Sequence, residues 1–286
     1  MKQEYSRTAE GMAFLRAIEQ HQPASRRIIA DPFARAFLRH PVLRLAAKSP
    51  LLGRLALRLM DSRAPGAVEF LTIRPRLVDE LAADLAARGL EQVVLLGAGF
   101  DTMAWRMRER LNGATIFEVD HPATQAAKRE KLAQLELPAN VRFVAVDFER
   151  EDFVEKLRAA GFDAQRRTFV SWLGVTYYLT AAAVARALHQ IAALGGAGME
   201  LVFDYMLEEV VTGRSANAEA LGKARFVARL GEPWLFGVEP EQLADYVSQF
   251  GFSLRKDFEA TELQAKYAPR RRLPMTYVRI ATCRRT

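Results

Sequence analysis

The chain has 286 residues, half of them hydrophobic, a net charge of +7 and a single cysteine, Cys283. That length suits one large α/β domain, or such a domain with a cap. A lone cysteine excludes an intrachain disulfide and a cysteine-based metal cluster, no uncharged apolar run approaches the roughly 20 residues of a membrane span, and the polar start MKQEYSRTAEG has no signal-peptide core; the expectation is a cytoplasmic protein with no metal and no membrane span.

The charge is uneven. Residues 1–70 carry 12 Lys and Arg against 6 Asp and Glu, residues 250–286 carry 9 against 3, and the middle is net acidic. A basic periphery suits nucleic acid, an acidic carrier protein or an anionic small molecule. Solvated surface is the simpler reading.

Thr8 to Gln20 reads as a helix. Asp31-Pro32-Phe33 opens a second segment to about Arg39, with Asp31 as N-cap and Pro32 at the first helical position. Residues 41–60 mix Leu and Ala with Arg44, Lys48, Arg54 and Arg58, and Pro50 and Gly53 divide them into two short amphipathic helices. Such helices suit a membrane surface or, in preference, a cover over a binding cleft, so residues 1–70 are expected to form a helical N-terminal cap. Thr72 to Arg88 is a further helix, with Leu77, Leu81 and Leu85 as its buried stripe, Pro75 near its start and Gly89 at its end. Arg74 and Arg76 then stand at its N-terminal end, where a guanidinium beside free N–H groups suits a carboxylate clamp.

Val93 to Leu96 is an apolar run fit for a strand buried on both faces. It enters the turn Gly97-Ala98-Gly99, which can bend sharply and approach a ligand, and Asp101 to Trp105 opens a helix. Strand, glycine turn and helix begin a nucleotide-binding α/β unit. The second strand, Ala114 to Asp120, places Asp120 at its C-terminal edge, 21 residues after Gly99, where an acid binds a ribose diol; Glu118 is the fallback. Pro122 starts a helix to about Leu135. The third strand, Val141 to Phe148, ends in Asp147-Phe148, an acid for an adenine amino group and an aromatic to cover the ring. The fourth, about Arg167 to Leu173, precedes a helix capped by Thr180 and ended by Gly195-Gly196. The fifth, Met199 to Tyr205, brings Asp204 and Tyr205 to the same edge.

Residues 206–238 read as an inserted helix and loop closing over the cleft. A helix from Pro240 to Phe250 and two strands, about Ser253–Ala260 and Met275–Arg284, finish a domain spanning 71–286. A third glycine is missing from the dinucleotide spacing, because Thr102 stands there, and no Lys-Ser or Lys-Thr follows the turn. Two glycines, an acid after strand two and an acid-aromatic pair after strand three suit an adenosine without phosphates, as in S-adenosylmethionine.

The chain resembles the leucine carboxyl methyltransferase family of S-adenosylmethionine-dependent enzymes, and most of all its bacterial O-methyltransferase branch. The resemblance rests on Arg7-Thr8-Ala9-Glu10-Gly11 with Arg16-Ala17, Asp31-Pro32-Phe33-Ala34, Arg74-Pro75-Arg76 with Asp79, Leu96-Gly97-Ala98-Gly99-Phe100-Asp101-Thr102 and Glu118-Val119-Asp120-His121-Pro122. It implies a Rossmann-like α/β fold: a seven-stranded, mostly parallel sheet with the last strand antiparallel, a helical cap and an insertion after strand five. By position, Arg74 would hold the cofactor carboxylate, Gly97 and Gly99 would pass under its methionine part, Asp120 would bind the ribose, and Asp147 with Phe148 the adenine. Where the eukaryotic branch has a glutamate after strand four, this chain has Leu173.

Of the four histidines, His121 belongs beside the ribose acid and His189 in a helix behind the sheet; neither is an obvious base, and Tyr178, Asp204 and Tyr205 are the better cleft candidates. A carboxylate acceptor needs no base at neutral pH, whereas an alcohol or amine benefits from one. The expected acceptor is therefore a carboxylate or readily ionised hydroxyl on a small, polyketide-like molecule, free or delivered by a carrier protein. The apolar stretch Phe226 to Phe236 suits a greasy acceptor. Competing readings are a protein methyltransferase, a nucleic-acid methyltransferase, disfavoured because Leu173-Gly174-Val175-Thr176 lacks the base-methylating motif, and a cofactor-binding protein without catalysis.

Overall fold

A computed structural model describes residues 7–132, 135–148, 150–229 and 231–286. Seven strands run β1 Gln92–Leu96, β2 Thr115–Asp120, β3 Val141–Ala145, β4 Thr168–Trp172, β5 Glu200–Met206, β6 Phe252–Phe258 and β7 Val278–Arg285. They form one sheet in the order β3-β2-β1-β4-β5-β7-β6. β7 is antiparallel to both its neighbours, and the remaining pairs are parallel. The expected Rossmann-like sheet with an antiparallel last strand is present.

Side chains on a strand alternate between faces, and the central strands carry apolar residues at both parities. Val93 and Leu95 enter one core with Phe37, Ile73 and Phe100, while Val94 and Leu96 enter the opposite core with Phe153, Leu188 and Phe250. The first core is roofed by α1 (Arg7–Glu19), α4 (Ala67–Ala86) and α6 (Pro122–Leu132), and the second by α7 (Phe153–Ala159), α8 (Ala181–Ala192) and α11 (Pro240–Ser248). The short helices α2 (Pro41–Ala46) and α3 (Pro50–Arg63) fall where two amphipathic helices are expected. Pro50 opens α3 instead of interrupting it, and Gly53 lets it close on α1, since a Cβ there would stand 3.2 Å from Ile18 Cγ2.

Several boundaries move for identifiable reasons. After Asp31 the chain forms a short 3-10 turn, Ala34–Phe37, in place of a helix to Arg39, although Asp31 Oδ1 does accept from the N–H groups of Phe33 and Ala34. α4 begins at Ala67, behind Gly66 in a left-handed conformation pressed against Leu273, so the boundary expected at residue 70 falls inside a continuous helix. Pro75 consequently lies in the helix interior, where it leaves the Leu71 carbonyl without its helical donor. β3 stops at Ala145, placing Asp147 and Phe148 in a loop. The helix expected to reach Leu135 ends at Leu132, and residues 133–134 of that reading lie outside the described residues, as do residues 1–6 of the cap. Two helices without an expected counterpart appear. They are α7, whose N-cap Asp152 accepts from Val154 N–H at 2.8 Å, and α12 (Ala260–Tyr267), held to α4 by Tyr267 Oη donating to Glu80 at 2.8 Å. Among the described residues no helix is long and apolar enough to cross a membrane.

Candidate functional site: a cavity over the sheet rim

A cavity of about 1060 Å³ opens over the C-terminal ends of β1, β2, β4 and β5. Ligands bind at that edge in open α/β sheets, where the strand order reverses. Here the reversal falls between β1 and β4, and the cavity sits on it.

Its floor is the glycine turn. Gly97 and Gly99 have positive φ of 72° and 50°, which favours glycine. Space is equally limiting, because a Cβ on Gly97 would meet Val175 Cγ2 at 2.8 Å and one on Gly99 would meet Ala9 of α1 at 3.2 Å. Asp120 stands beside the turn at the end of β2. One of its carboxylate oxygens accepts from Gly99 N–H and the other from His121 N–H at 2.6 Å. Those two bonds fix the carboxylate while leaving lone pairs on each oxygen for a pair of vicinal hydroxyls. Burial raises the Asp120 pKa, and the two backbone donors oppose that rise. Glu118 shares the face of Asp120 but is fully buried against Lys128 Nζ at 2.5 Å, so it offers nothing to the cavity.

The turn is locked from below by a buried ionic network. Arg16 of α1 donates to Asp31 at 2.8 Å and to the Phe100 carbonyl at 2.5 Å, and Thr102 Oγ1 donates to the same Asp31 oxygen at 2.5 Å. Arg106 grips Asp79 with two bonds of 2.7 and 2.8 Å and reaches Asp101 at 2.7 Å. Lys128 donates to the Asp101 carbonyl at 2.6 Å. Burial alone would raise the Asp101 pKa, but Arg106, with Arg16 and Lys128, holds it well below the carboxylate range.

Arg74 enters from the middle of α4, two turns in, and not from a helix N-terminus. It is buried and donates to Asp204 Oδ2 at 2.5 Å. Asp204 Oδ1 accepts from Gly174 N–H at 2.7 Å, and Gly174 leaves room for the guanidinium, since a Cβ there would stand 3.2 Å from Arg74 Nη1. Tyr177 stands beside the same guanidinium, and burial pushes its phenol well up. Arg74, Leu173 and Phe148 line the cavity; Asp147 does not.

The three cleft candidates separate. Tyr178 lines the cavity, and burial with Glu232 nearby raises its pKa. Asp204 is fully buried behind Arg74 and acts as its partner. Tyr205 is a correction: adjacent strand residues point to opposite faces, so it enters the far core and donates to Asp257 at 2.9 Å. Phe236 likewise turns into the far core, whereas Phe226, Trp234 and Leu235 of the insertion do line the cavity. Besides Phe226, α10 (Ala218–Arg229) contributes Lys223, a half-buried ammonium 5.3 Å from the Phe226 ring. Burial lowers the Lys223 pKa. Sequence reasoning passed over Tyr177, Lys223 and Arg63, because no motif surrounds them. The insertion is anchored by Leu235 N–H donating to the Tyr177 carbonyl at 2.7 Å and Val238 N–H to that of Met206 at 3.0 Å.

The donor set fits S-adenosylmethionine. A glycine cradle open to the cavity, a fixed carboxylate for a diol and a guanidinium for a carboxylate are present. The family model for leucine carboxyl methyltransferase matches residues 9–192. The chain belongs to the leucine carboxyl methyltransferase family. A candidate S-adenosyl-L-methionine-dependent methyltransferase of Mycolicibacterium smegmatis is 32% identical over 255 residues, covering 86% of this chain and 81% of that protein. YktD of Bacillus subtilis, named for the same activity, is 37% identical over 147 residues, 51% of this chain; the match spans about half (48%) of that relative. A solved candidate methyltransferase from Thermobifida fusca superposes with a TM-score of 0.60 at 18% identity, covering 89% of this chain and 94% of that one, which supports the fold. This family member is an S-adenosylmethionine-dependent methyltransferase.

Proposed function

We propose that the enzyme methylates an oxygen, a carboxylate or readily ionised hydroxyl, on a small, largely apolar acceptor. The observation that carries this reading is the charge of the acceptor end of the cavity. Lys223 and Arg63 face it among apolar residues such as Met60, Leu71, Phe226 and Trp234, and neither cation has an ion-pair partner among the described residues. Such a pocket favours a ligand that brings its own negative charge.

Among the described side chains at that end the one carboxylate is Glu232, beside Tyr178, and an acceptor that is already anionic makes no demand on it. Tyr178 keeps its proton at neutral pH, since burial raises its pKa. His121 belongs to the cofactor end, and its Nδ1 accepts from Ala123 N–H at 3.2 Å. An anionic oxygen needs no base.

S-adenosylmethionine supplies a methyl group already activated by its sulfonium. In this reading Arg74 holds the cofactor carboxylate while Asp204 orients the guanidinium. Gly97 and Gly99 give way to the methionine part, Asp120 accepts from the ribose hydroxyls, Phe148 covers the adenine, and Leu173 packs beside it. The insertion and α1 exclude water, and alignment supplies much of the acceleration. The adenine edge has no contact assigned to Asp147, which lies off the cavity.

The test is incubation with methyl-labelled S-adenosylmethionine and fractionated extract, followed by mild base. Release of labelled methanol is expected for a methyl ester, and a base-stable label on a phenolic oxygen fits the hydroxyl case. A label on nitrogen or on nucleic acid would overturn the proposal.

A further inference from the structure

α3 shows an inverted amphipathic pattern. Its inner face, Gly53, Leu57 and Met60, packs on the protein, yet its outward face is also apolar. Leu51, Leu55 and Leu59 recur every four residues and are 73%, 62% and 50% exposed; Leu52 flanks them, and Val42 and Leu45 of α2 continue the patch at 64% and 59%. Six of the eleven exposed large hydrophobics of the described chain sit on these two short helices. Scattered apolar residues on a surface are ordinary; a contiguous stripe of this kind marks an interaction site.

The charge around the stripe is of one sign. Residues 41–60 contain Arg44, Lys48, Arg54 and Arg58 and no acid, and Arg63 follows. All five cations are exposed and none has an ion-pair partner among the described residues. Asp61, the one acid of α3, is neutralised by Arg272 at 2.7 Å. On a helical projection Arg54 and Arg58 lie to one side of the leucine stripe and Arg63 to the other. A helix with branched apolar residues outward and basic residues along both flanks can lie in the headgroup region of an anionic bilayer, leucines among the acyl chains and arginines at the phosphates.

We propose that α2 and α3 dock the enzyme on an anionic lipid surface. An acidic protein would match the arginines, but not six unpaired Leu and Val side chains between them; a lipid surface matches both. The position of the patch gives the docking a purpose. Met60, Arg63 and Ala64, at the end of the same helix, line the acceptor end of the cavity, beside Lys223 and Phe226. The end of α3 therefore joins the cavity lining to the surface that would meet lipid, and an amphiphilic acceptor with an anionic head could pass from bilayer to cavity. That consequence rests on the acceptor reading above, whereas the docking itself does not.

The experiment is flotation of the full chain with vesicles of phosphatidylcholine alone and of equimolar phosphatidylcholine and phosphatidylglycerol, across a salt series, with sedimentation velocity of the free protein. Binding is expected to the anionic vesicles, weakened by salt, with little to phosphatidylcholine alone. Leu51→Ser/Leu55→Ser/Leu59→Ser should abolish it, and Arg54→Gln/Arg58→Gln should weaken it about fivefold per charge. Cofactor affinity by calorimetry should be unchanged in both, which shows that they fold. Failure to float at low salt, flotation that survives the triple substitution, a dimer that the triple substitution dissolves, or capture by an acidic carrier protein with no vesicle binding would each overturn the proposal. None of these readouts depends on methyl transfer, so loss of the docking and loss of the acceptor reading are distinguishable.

Discussion

The two ends of the cavity are built on opposite principles. At the cofactor end most charges are paired, Arg16 with Asp31, Arg106 with Asp79 and Asp101, Arg74 with Asp204, Lys128 with Glu118, while Asp120 is fixed by two backbone N–H groups. At the proposed acceptor end Lys223 and Arg63 have no ion-pair partner among the described residues, Glu232 stands beside Tyr178, the remaining walls are mainly Met, Leu, Phe and Trp, and the covering helices expose leucines to solvent. Buried paired charges fix geometry at the cost of desolvation, which suits a ligand of constant shape. An apolar wall with a loose cation tolerates variation in the ligand it holds.

The contrast breaks most visibly at Asp31. It is fully buried and serves Arg16, Thr102 and two backbone donors at once. Asp31→Ala leaves a buried guanidinium unpaired and should cost about 3–5 kcal/mol of stability in urea unfolding. A loss below about 1 kcal/mol would show that water replaces the carboxylate and that the cap is not locked to the turn.

Arg74 comes next. Arg74→Met should weaken S-adenosylmethionine binding about 10- to 100-fold by calorimetry, the equivalent of a charge-assisted hydrogen bond of about 1.5–3 kcal/mol. Unchanged affinity would make Arg74 a structural partner of Asp204 alone. Asp101 supplies a pH test of the same end. Its pKa is depressed in the folded protein, so its contribution to stability is present above the unfolded value of about 4 and is lost as pH falls below it. Asp101→Asn should flatten the acid limb of the stability curve and leave the neutral region less affected by pH; an unaltered acid limb would remove Asp101 from the network.

Lys223 sharpens the comparison from the other side. Lys223→Met should raise the acceptor KM about tenfold or less, since the ammonium is half exposed and screened, with cofactor affinity unchanged. A parallel loss of cofactor binding would mean that the two ends are not separable.

Legibility follows the same division. The glycine turn, β1 and Asp120 could be read from sequence because each rests on local rules: glycines where positive φ is needed, an apolar run in β1, an acid at a strand end; the seven-stranded sheet with its antiparallel last strand came from the resemblance. Arg74 stands out both as a guanidinium near a helix start and by resemblance, but its setting differs from the one expected. Gly66 starts α4 early through contact with Leu273, some 200 residues away, so Pro75 falls inside the helix and Arg74 meets Asp204 across the fold. Asp147 and Phe148 both lie in the loop beyond the end of β3, and of the two only Phe148 lines the cavity. Lys223 and Arg63 belong to cap and insertion, where only tertiary packing gives a residue its neighbours. Their helices look like ordinary basic amphipathic segments in the sequence.

The smallest effect is expected at Tyr205, and it tests how strictly the sheet divides the molecule. Asp204 and Tyr205 are consecutive, yet the pleat sends the first beneath the cavity and the second into the far core. There the phenol donates to Asp257, which also accepts from Arg279 at 2.7 Å. Tyr205→Phe removes one donor from a carboxylate that keeps its arginine, so stability should fall by about 0.5–1.5 kcal/mol. The turnover number and both KM values should stay within about twofold, because the alternation of strand side chains leaves the cavity-facing surface of β5 untouched. A tenfold loss of turnover with intact stability would mean that a side chain on the far face reaches the reacting atoms, and the assignment of one chemistry to one face of the sheet would fail with it.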